Sequence, residues 1–461
     1  MRTGVCVGLL LVGVGACAPV PGERPDVLLV VVDTLRADHV GNYGYGRDTT
    51  PNIDAVAAEG AAFEVAYAPM GTTTPSHAAL FTSQEPLDLG LVRNGLALAE
   101  DAVTLAEILQ RNGYRTAAFV SSYPVSRRFG MDQGFGHFDD EFSVATSRVR
   151  DARWERLRVE GGFDRDARAT VDAALAWLRA ESPPPPLFLW VHLFDPHGPH
   201  QRPQQFEDEF LQPGMSRQEQ IIARYDANVR YADDAIGRLV EYFSEFRDWD
   251  NTFVVIVSDH GEGLFDHDWQ FHNRTTYEEE VRVPFILRWP GRIGGPARLA
   301  QPVHLVDLLP TVVSALGLEA REVAFDGIDL MPHVRRSVAV DPERPVFVQR
   351  PYYPPASAGH RDPGFGFAVR SGRWKYFEAP GEERTELYDL EADPGERANL
   401  SEERVERVAE MSALIRAWRA RREAGVADAA LTPRDEAALE ALGYGVPSRA
   451  ASEGEASSPP R

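Results

Sequence analysis

Three near-continuous apolar runs, each leading into an aspartate, constrain this chain more than any other feature. Asp26 to Val32 ends at Asp33, Leu187 to Leu193 runs on to Asp195, and Phe253 to Val257 to Asp259. Runs of this kind fit strands of a parallel sheet buried on both faces. Shorter apolar segments, Thr116 to Val120 and Val283 to Leu287, extend the same sheet. Helical patterns fill the intervals. Pro51 opens one that carries Ile53, Val56 and Ala57 and stops at Gly60; Ala102 to Asn112 ends at Gly113; Ala167 to Ala180 runs into prolines; Arg217 to Phe246 is periodic through Ile221, Tyr225, Val229 and Ala232. Strands alternating with helices predict an α/β fold.

Beyond about residue 330 the pattern becomes short strands (Val346 to Gln349, Phe367 to Arg370, Trp374 to Phe377, Leu387 to Leu390) and a helix near Glu403 to Arg422. We expect a main domain over 25–330, a smaller α+β subdomain over 331–445, and a solvated tail over 446–461, whose Ser, Pro and Glu cannot build a core.

Charge narrows the partners. Of 461 residues, 70 are acidic and 48 basic, a net charge of −22, which argues against a nucleic-acid surface because phosphate binding draws on Lys and Arg. The only lysine is Lys375, so lysine-based catalysis has a single candidate. The cysteines, Cys6 and Cys17, both lie in an N-terminal stretch with Arg2, a short apolar run and small residues before Cys17. That stretch reads as a signal peptide over 1–17. Val14-Gly15-Ala16-Cys17 resembles the lipobox of bacterial lipoproteins, which implies lipidation at Cys17, export to the cell envelope, periplasm or exterior, and membrane contact through that anchor only. Cleavage near Ala18 without lipidation is the alternative.

Ligands of open α/β sheets collect beyond the carboxyl ends of strands, where Asp33, Asp259 and His260 fall. Two carboxylates and an imidazole suit one divalent cation, Ca²⁺, Mg²⁺, Mn²⁺ or Zn²⁺, although either aspartate alone reads as a helix or turn cap. Thr73, in Gly71-Thr72-Thr73-Thr74-Pro75-Ser76-His77, stands just ahead of a helix that Pro75 opens, where amides and dipole favour an anion. On local sequence it is an ordinary N-cap.

These segments, in this order, resemble the sulfatases of the alkaline phosphatase superfamily: Val31 to His39, Thr50 to Asp54, Thr73 to Ser83, Ser258 to Gly263, Leu305 to Thr311, Val369 to Tyr376 and Glu386 to Leu390. The resemblance implies a large, mixed, mostly parallel sheet flanked by helices, with a smaller C-terminal subdomain. It also implies an ester hydrolase with a metal held by Asp33, Asp259, His260 and Thr73, and with Thr73 as nucleophile. His192 or His197, together with His272, would face substrate or leaving group, and Arg93 and Asn94 would lie near the substrate. His39 and His304 read as structural.

One block departs from the family. Sulfatases carry Cys or Ser in a Cys/Ser-x-Pro-x-Arg motif and oxidise it to formylglycine. Here the nucleophile position is Thr73, which cannot yield that aldehyde, and His77 replaces the motif arginine and is expected, with His197 and His272, in the catalytic set. Metal coordination makes a threonine alkoxide accessible, and other branches of the superfamily use one on phosphorus, so the resemblance implies a phosphate or phosphonate ester. A sulfate ester cleaved without formylglycine is the alternative, and a non-catalytic lipoprotein of the same fold the second. The alcohol portion, whether small molecule, glycan or lipid, is not encoded legibly, since specificity belongs to loops such as Met131 to Glu160 and Tyr352 to Pro363.

Overall fold

The run Asp26–Val32 forms strand β1 inside an eight-stranded sheet and is buried along its length. Val27, Leu29 and Val31 join one hydrophobic core, while Leu28, Val30 and Val32 join the other, as the two-residue repeat of a strand requires. The computed structural model describes residues 24–422 except 143–152, 155–156, 159–162, 199, 201–203, 269, 273, 294, 321–322, 337, 340 and 353–364. The expected signal peptide with Cys17, the 446–461 tail and much of both expected specificity loops lie outside the described residues.

The other principal elements are α1 (Pro51–Ala57), β2 (Ala61–Phe63), α2 (Thr73–Thr82), α3 (Leu105–Arg111), β3 (Arg115–Phe119), β4 (His137–Asp139), α4 (Ala167–Glu181), β5 (Leu187–Leu193), α5 (Arg217–Phe246), β6 (Thr252–Val257), β7 (Phe285–Arg288), β8 (Ala297–Leu299), β9 (Val346–Arg350), β10 (Gly366–Ser371), β11 (Trp374–Ala379), β12 (Arg384–Asp389) and α6 (Val405–Arg419). Strand order in the large sheet is β8-β2-β7-β6-β1-β5-β3-β4. Only β7 runs antiparallel to its neighbours, so the sheet is mixed and mostly parallel. Helices α1, α4 and α5 supply the core on one face, and α2 and α3 contribute to the core on the other.

Caps explain where the helices begin. The helix expected from Ala102 starts at Leu105, because Thr104 accepts from the Glu107 amide at 3.1 Å and Glu107 accepts from the Thr104 amide at 2.8 Å. Ser216 and Glu219 form the same reciprocal cap at the start of α5. Strand β7 begins at Phe285 rather than Val283, where the Phe285 amide donates to the Tyr43 hydroxyl at 2.9 Å.

The C-terminal subdomain is an antiparallel sheet in the order β9-β10-β11-β12, with Trp418 of α6 stacked on Phe347 at 5.0 Å. It is clamped to the main domain by the buried Lys375 of β11, whose ammonium lies 3.0 Å from both Glu278 and Glu396. Burial alone would raise the Glu278 carboxyl, but Lys375 and Arg370 hold it low. Breaking a buried ion pair leaves charge uncompensated, at about 3–5 kcal/mol. Lys375→Met should lower unfolding stability by that amount in urea at pH 8; a loss below about 1 kcal/mol would mean that the clamp contributes little.

Candidate active site

Strand register assembles the site. Val31 pairs with Val257 on one side and His192 on the other, so Asp33 stands level with Asp259 at the carboxyl ends of the neighbouring strands β6, β1 and β5. The turn after β1 places Thr34 at φ 54°, a left-handed conformation rare for a β-branched residue. It is held from several sides. The Thr34 amide donates to Asp259 Oδ1 at 3.3 Å, the Tyr225 hydroxyl of α5 donates to the Thr34 carbonyl at 2.7 Å, and the Leu35 amide donates to Ser258 Oγ at 2.9 Å. Ser258 in turn donates to the His260 carbonyl at 2.6 Å. The loops after β1 and β6 therefore form one unit.

Within it, Asp259 Oδ1 also accepts from the His260 amide at 2.9 Å, while Oδ2 is buried with no hydrogen-bond partner among the described residues. Burial, and then the nearby Asp33 carboxylate, push the Asp259 carboxyl well above its ordinary range. His260 Nδ1 donates to the Gly261 carbonyl at 2.9 Å, so the lone pair lies on Nε2. That atom is 3.3 Å from Thr73 Oγ1, 3.5 Å from Asp259 Oδ2 and 4.0 Å from Asp33 Oδ1. One ligand atom from each of Asp33, Asp259 and His260 lies within 4.8 Å of the others. Two buried carboxylates, one with an orphaned oxygen, and an imidazole lone pair fit a divalent cation. Gly261 is required here, since a Cβ would come 2.0 Å from the Glu279 carbonyl oxygen.

Thr73 is the first residue of α2, and the N-cap position belongs to Thr72, which corrects the expectation that Thr73 is a cap. Pro75 is accordingly the third helical residue rather than the first; amides of the first turn have no intrahelical partner, so proline is tolerated there. Asn94 Oδ1 accepts from the Thr74 amide at 2.7 Å and so braces the first turn, and the Arg93 guanidinium donates to the Asn94 carbonyl at 3.3 Å. One turn along, His77 Nδ1 donates to the Thr73 carbonyl at 2.9 Å and lies 3.5 Å from Asp259 Oδ2. Burial, and then His192, hold the His77 imidazole well below its ordinary range. His77 is therefore neutral and cannot supply the fixed charge of an arginine. His192 Nε2 is 3.3 Å from Asp33 Oδ2.

His272 packs 4.5 Å from the His260 ring, and the His197 ring lies 4.8 Å from His272. Asp33, Thr73, His77, His192, Asp259, His260 and His272 thus lie in a chain of close contacts at this end of the sheet. His39 is bonded to Asp226 at 2.7 Å, and His304 caps the short helix at Leu305–Asp307. Lys375 is held by Glu278 and Glu396, in the clamp described above.

Sequence reasoning missed Tyr225, Ser258 and Glu262. Tyr225 reads as a core aromatic on the buried face of α5, and Ser258 stands inside the Ser258 to Gly263 block with no role of its own assigned there. Glu262, fully buried, lies 2.9 Å from His272 Nδ1; its position two residues after His260 was the only signal.

Comparison with known proteins agrees with this architecture. The sulfatase family profile matches residues 25–318, and the profile for the C-terminal region of N-sulphoglucosamine sulphohydrolase matches residues 265–420. The chain is 28% identical to human arylsulfatase A, covering 82% of this chain and 83% of that protein. It is 25% identical to an ulvan-active sulfatase of Formosa agariphila over 82% of this chain and 77% of that one. A phosphonate monoester hydrolase of Agrobacterium radiobacter shares the fold with a TM-score of 0.72 at 21% identity, over 86% of this chain and 96% of that one. A protein solved with its substrate D-glucosamine-2-N,6-O-disulfate gives 0.73 at 20% identity, over 86% and 98%.

Proposed function

Because the chain belongs to the sulfatase family and is an ester hydrolase of the alkaline phosphatase superfamily, we propose that it cleaves a phosphate or phosphonate ester through Thr73. The observation that carries this reading is the Thr73 hydroxyl 3.3 Å from His260 Nε2, beside Asp33 and Asp259. A secondary alcohol cannot be oxidised to an aldehyde, so in this reading Thr73 acts directly as an oxygen nucleophile and forms an ester of its own.

Asp33, Asp259, His260 and Thr73 would hold one divalent cation. When bound, that ion supplies positive charge that offsets the anionic substrate and lowers the pKa of a coordinated hydroxyl. Thr73 attacks as its alkoxide, in line with the leaving oxygen; the bond from Thr73 oxygen to phosphorus forms as the bond to the leaving group breaks. Asn94 fixes the first turn of α2 and so aims Thr73, and the N-terminal dipole of that helix favours the anion. His77, held neutral by burial, keeps its imidazole edge beside Asp259, and His192 Nε2 stands 3.3 Å from Asp33 Oδ2. Water then opens the threonine ester.

Sulfate esters are the second reading, favoured by the names of the relatives, arylsulfatase A and the ulvan-active sulfatase. The test is release of nitrophenol from matched sulfate, phosphate monoester, phosphodiester and phosphonate substrates with a divalent cation present. Phosphonate or phosphodiester turnover exceeding sulfate turnover by about tenfold or more supports the first reading, and the reverse order supports the second. No turnover of any ester would leave a binding scaffold.

For residues 1–17 we retain the reading of an export signal with Cys17 lipidated; it rests on sequence alone. Among the described residues no helix is long and apolar enough to cross a membrane.

A further inference from the structure

We propose that Tyr225 is a positioning residue of the cation centre, its hydroxyl holding the turn after β1 so that Asp33 is presented to the ion; this deepens the proposed hydrolysis and rests on the cation site set out there. The Asp33 amide still donates into the sheet, to the Leu193 carbonyl at 2.8 Å. Beyond it the chain leaves the sheet, and the next three amides are each held by a side-chain oxygen. Thr34 donates to Asp259 Oδ1 at 3.3 Å, Leu35 to Ser258 Oγ at 2.9 Å and Arg36 to the Tyr225 hydroxyl at 2.9 Å. The same hydroxyl donates to the Thr34 carbonyl at 2.7 Å. It therefore bridges the carbonyl of residue 34 and the amide of residue 36, as a water molecule does in an open turn, in a place where Thr34, Leu35 and Tyr225 are fully buried.

The bridge matters because Thr34 sits at φ 54°, where a β-branched residue does not stay unaided. Its own hydroxyl has no hydrogen-bond partner among the described residues, so the side chain does not hold the turn. Without the Tyr225 oxygen a buried carbonyl and a buried amide lose their partner, and the nearest relief is rotation of Thr34 out of the left-handed region. Asp33 adjoins that rotation and would swing away from Asp259 and His260. Tyr225 is itself fixed in α5, which grips the chain beyond the turn at two further places. Asp226 accepts from the Tyr45 hydroxyl at 2.7 Å, and Asp233 accepts from the Asn52 and Ile53 amides at 3.0 and 2.9 Å. Of these grips, the one made by Tyr225 lies next to a cation ligand. Groups that orient metal-ligating residues typically control affinity by about 10–100-fold.

The test is calorimetric titration of the chelator-stripped full chain with Ca²⁺, Mg²⁺, Mn²⁺ and Zn²⁺, each alone. It compares wild type with Tyr225→Phe, Ser258→Ala, Tyr45→Phe, Thr34→Gly and the Thr34→Gly/Tyr225→Phe double variant. For the cation that wild type binds most tightly, Tyr225→Phe should raise Kd by about tenfold or more. Ser258→Ala releases the same turn at Leu35 and should raise Kd as well, which keeps the role testable if Tyr225→Phe does not fold. Tyr45→Phe removes a hydrogen bond of the same length to the next residue of α5. It should lower the melting temperature and leave Kd within about twofold. Glycine adopts a left-handed φ without strain, so in the Thr34→Gly background loss of the Tyr225 hydroxyl should cost under about threefold. A Kd for Tyr225→Phe within about twofold of wild type, or the full loss retained in the glycine background, would overturn the positioning role and leave the proposed hydrolysis standing. Binding of none of these cations by wild type would overturn both.

Discussion

Asp259→Asn is expected to abolish turnover and the response to divalent cations together, and yet to leave the cation-free protein at least as stable as wild type above neutral pH. The two effects share one cause. Asp259 and Asp33 are buried side by side, and Asp259 Oδ2 has no hydrogen-bond partner among the described residues; a bound cation satisfies that arrangement, and without one the carboxylates repel. The folded-state pKa of Asp259 is raised above the ordinary value of about 3.9. A carboxyl shifted this way is bound to its proton more strongly in the native state than in the unfolded chain. Its contribution is complete below that ordinary value and is lost as pH rises towards the raised one. In chelator, wild type should therefore lose melting temperature as pH rises from 5 to 8, and the asparagine variant should follow a flatter curve. A cation at a hundred times its Kd should stabilise wild type by about 2.7 kcal/mol and the variant by almost nothing. Activity should fall by at least about 10³-fold, as expected when charge stabilisation at the reacting oxygens is removed. A variant that keeps the cation-dependent rise in melting temperature would remove Asp259 from the ligand set.

Thr73→Ala should separate chemistry from cation binding. The methyl side chain removes the nucleophile, and turnover should drop by about 10³-fold or more. The other three ligands remain, however, so the melting temperature should still rise on adding the cation, with the half-saturating concentration increased by about tenfold. Fold and cap should be unaffected, because Thr72 holds the cap position and the Thr74 amide stays on Asn94. Thr73→Ser keeps a hydroxyl and should retain measurable turnover, below wild type because a freer side chain is aimed less well. Unchanged activity in Thr73→Ala would show that water attacks the substrate directly.

The strand ends were legible because a strand buried on both faces must be apolar throughout, and a charged residue marks where it emerges. Asp33, Asp195 and Asp259 each stand out for that reason. What brings Asp33 beside Asp259 is the register of β1 against β6, a long-range property with no local signature. The same limit hid Glu262, whose partner His272 is set by a two-pair ladder, and Tyr225, which reaches the Thr34 carbonyl from a helix far along the chain. The start of α2 was misplaced by two residues, since Pro75 is compatible with any of the first helical positions and sequence alone favoured the first. Lys375, the single candidate for lysine-based catalysis, is engaged instead in a clamp with Glu278 and Glu396, which no spacing rule connects to it.

The central claim is that the Thr73 oxygen becomes covalently bonded to the group it removes, in a centre that needs a divalent cation. It is tested most directly by quenching the enzyme during turnover, digesting it and weighing the peptide that contains Thr73. The account predicts a phosphoryl-type or sulfuryl mass increase on Thr73 that disappears in chelator and in Asp259→Asn. An unmodified Thr73 under conditions where the second step is slow, or an adduct on any other residue, would contradict it.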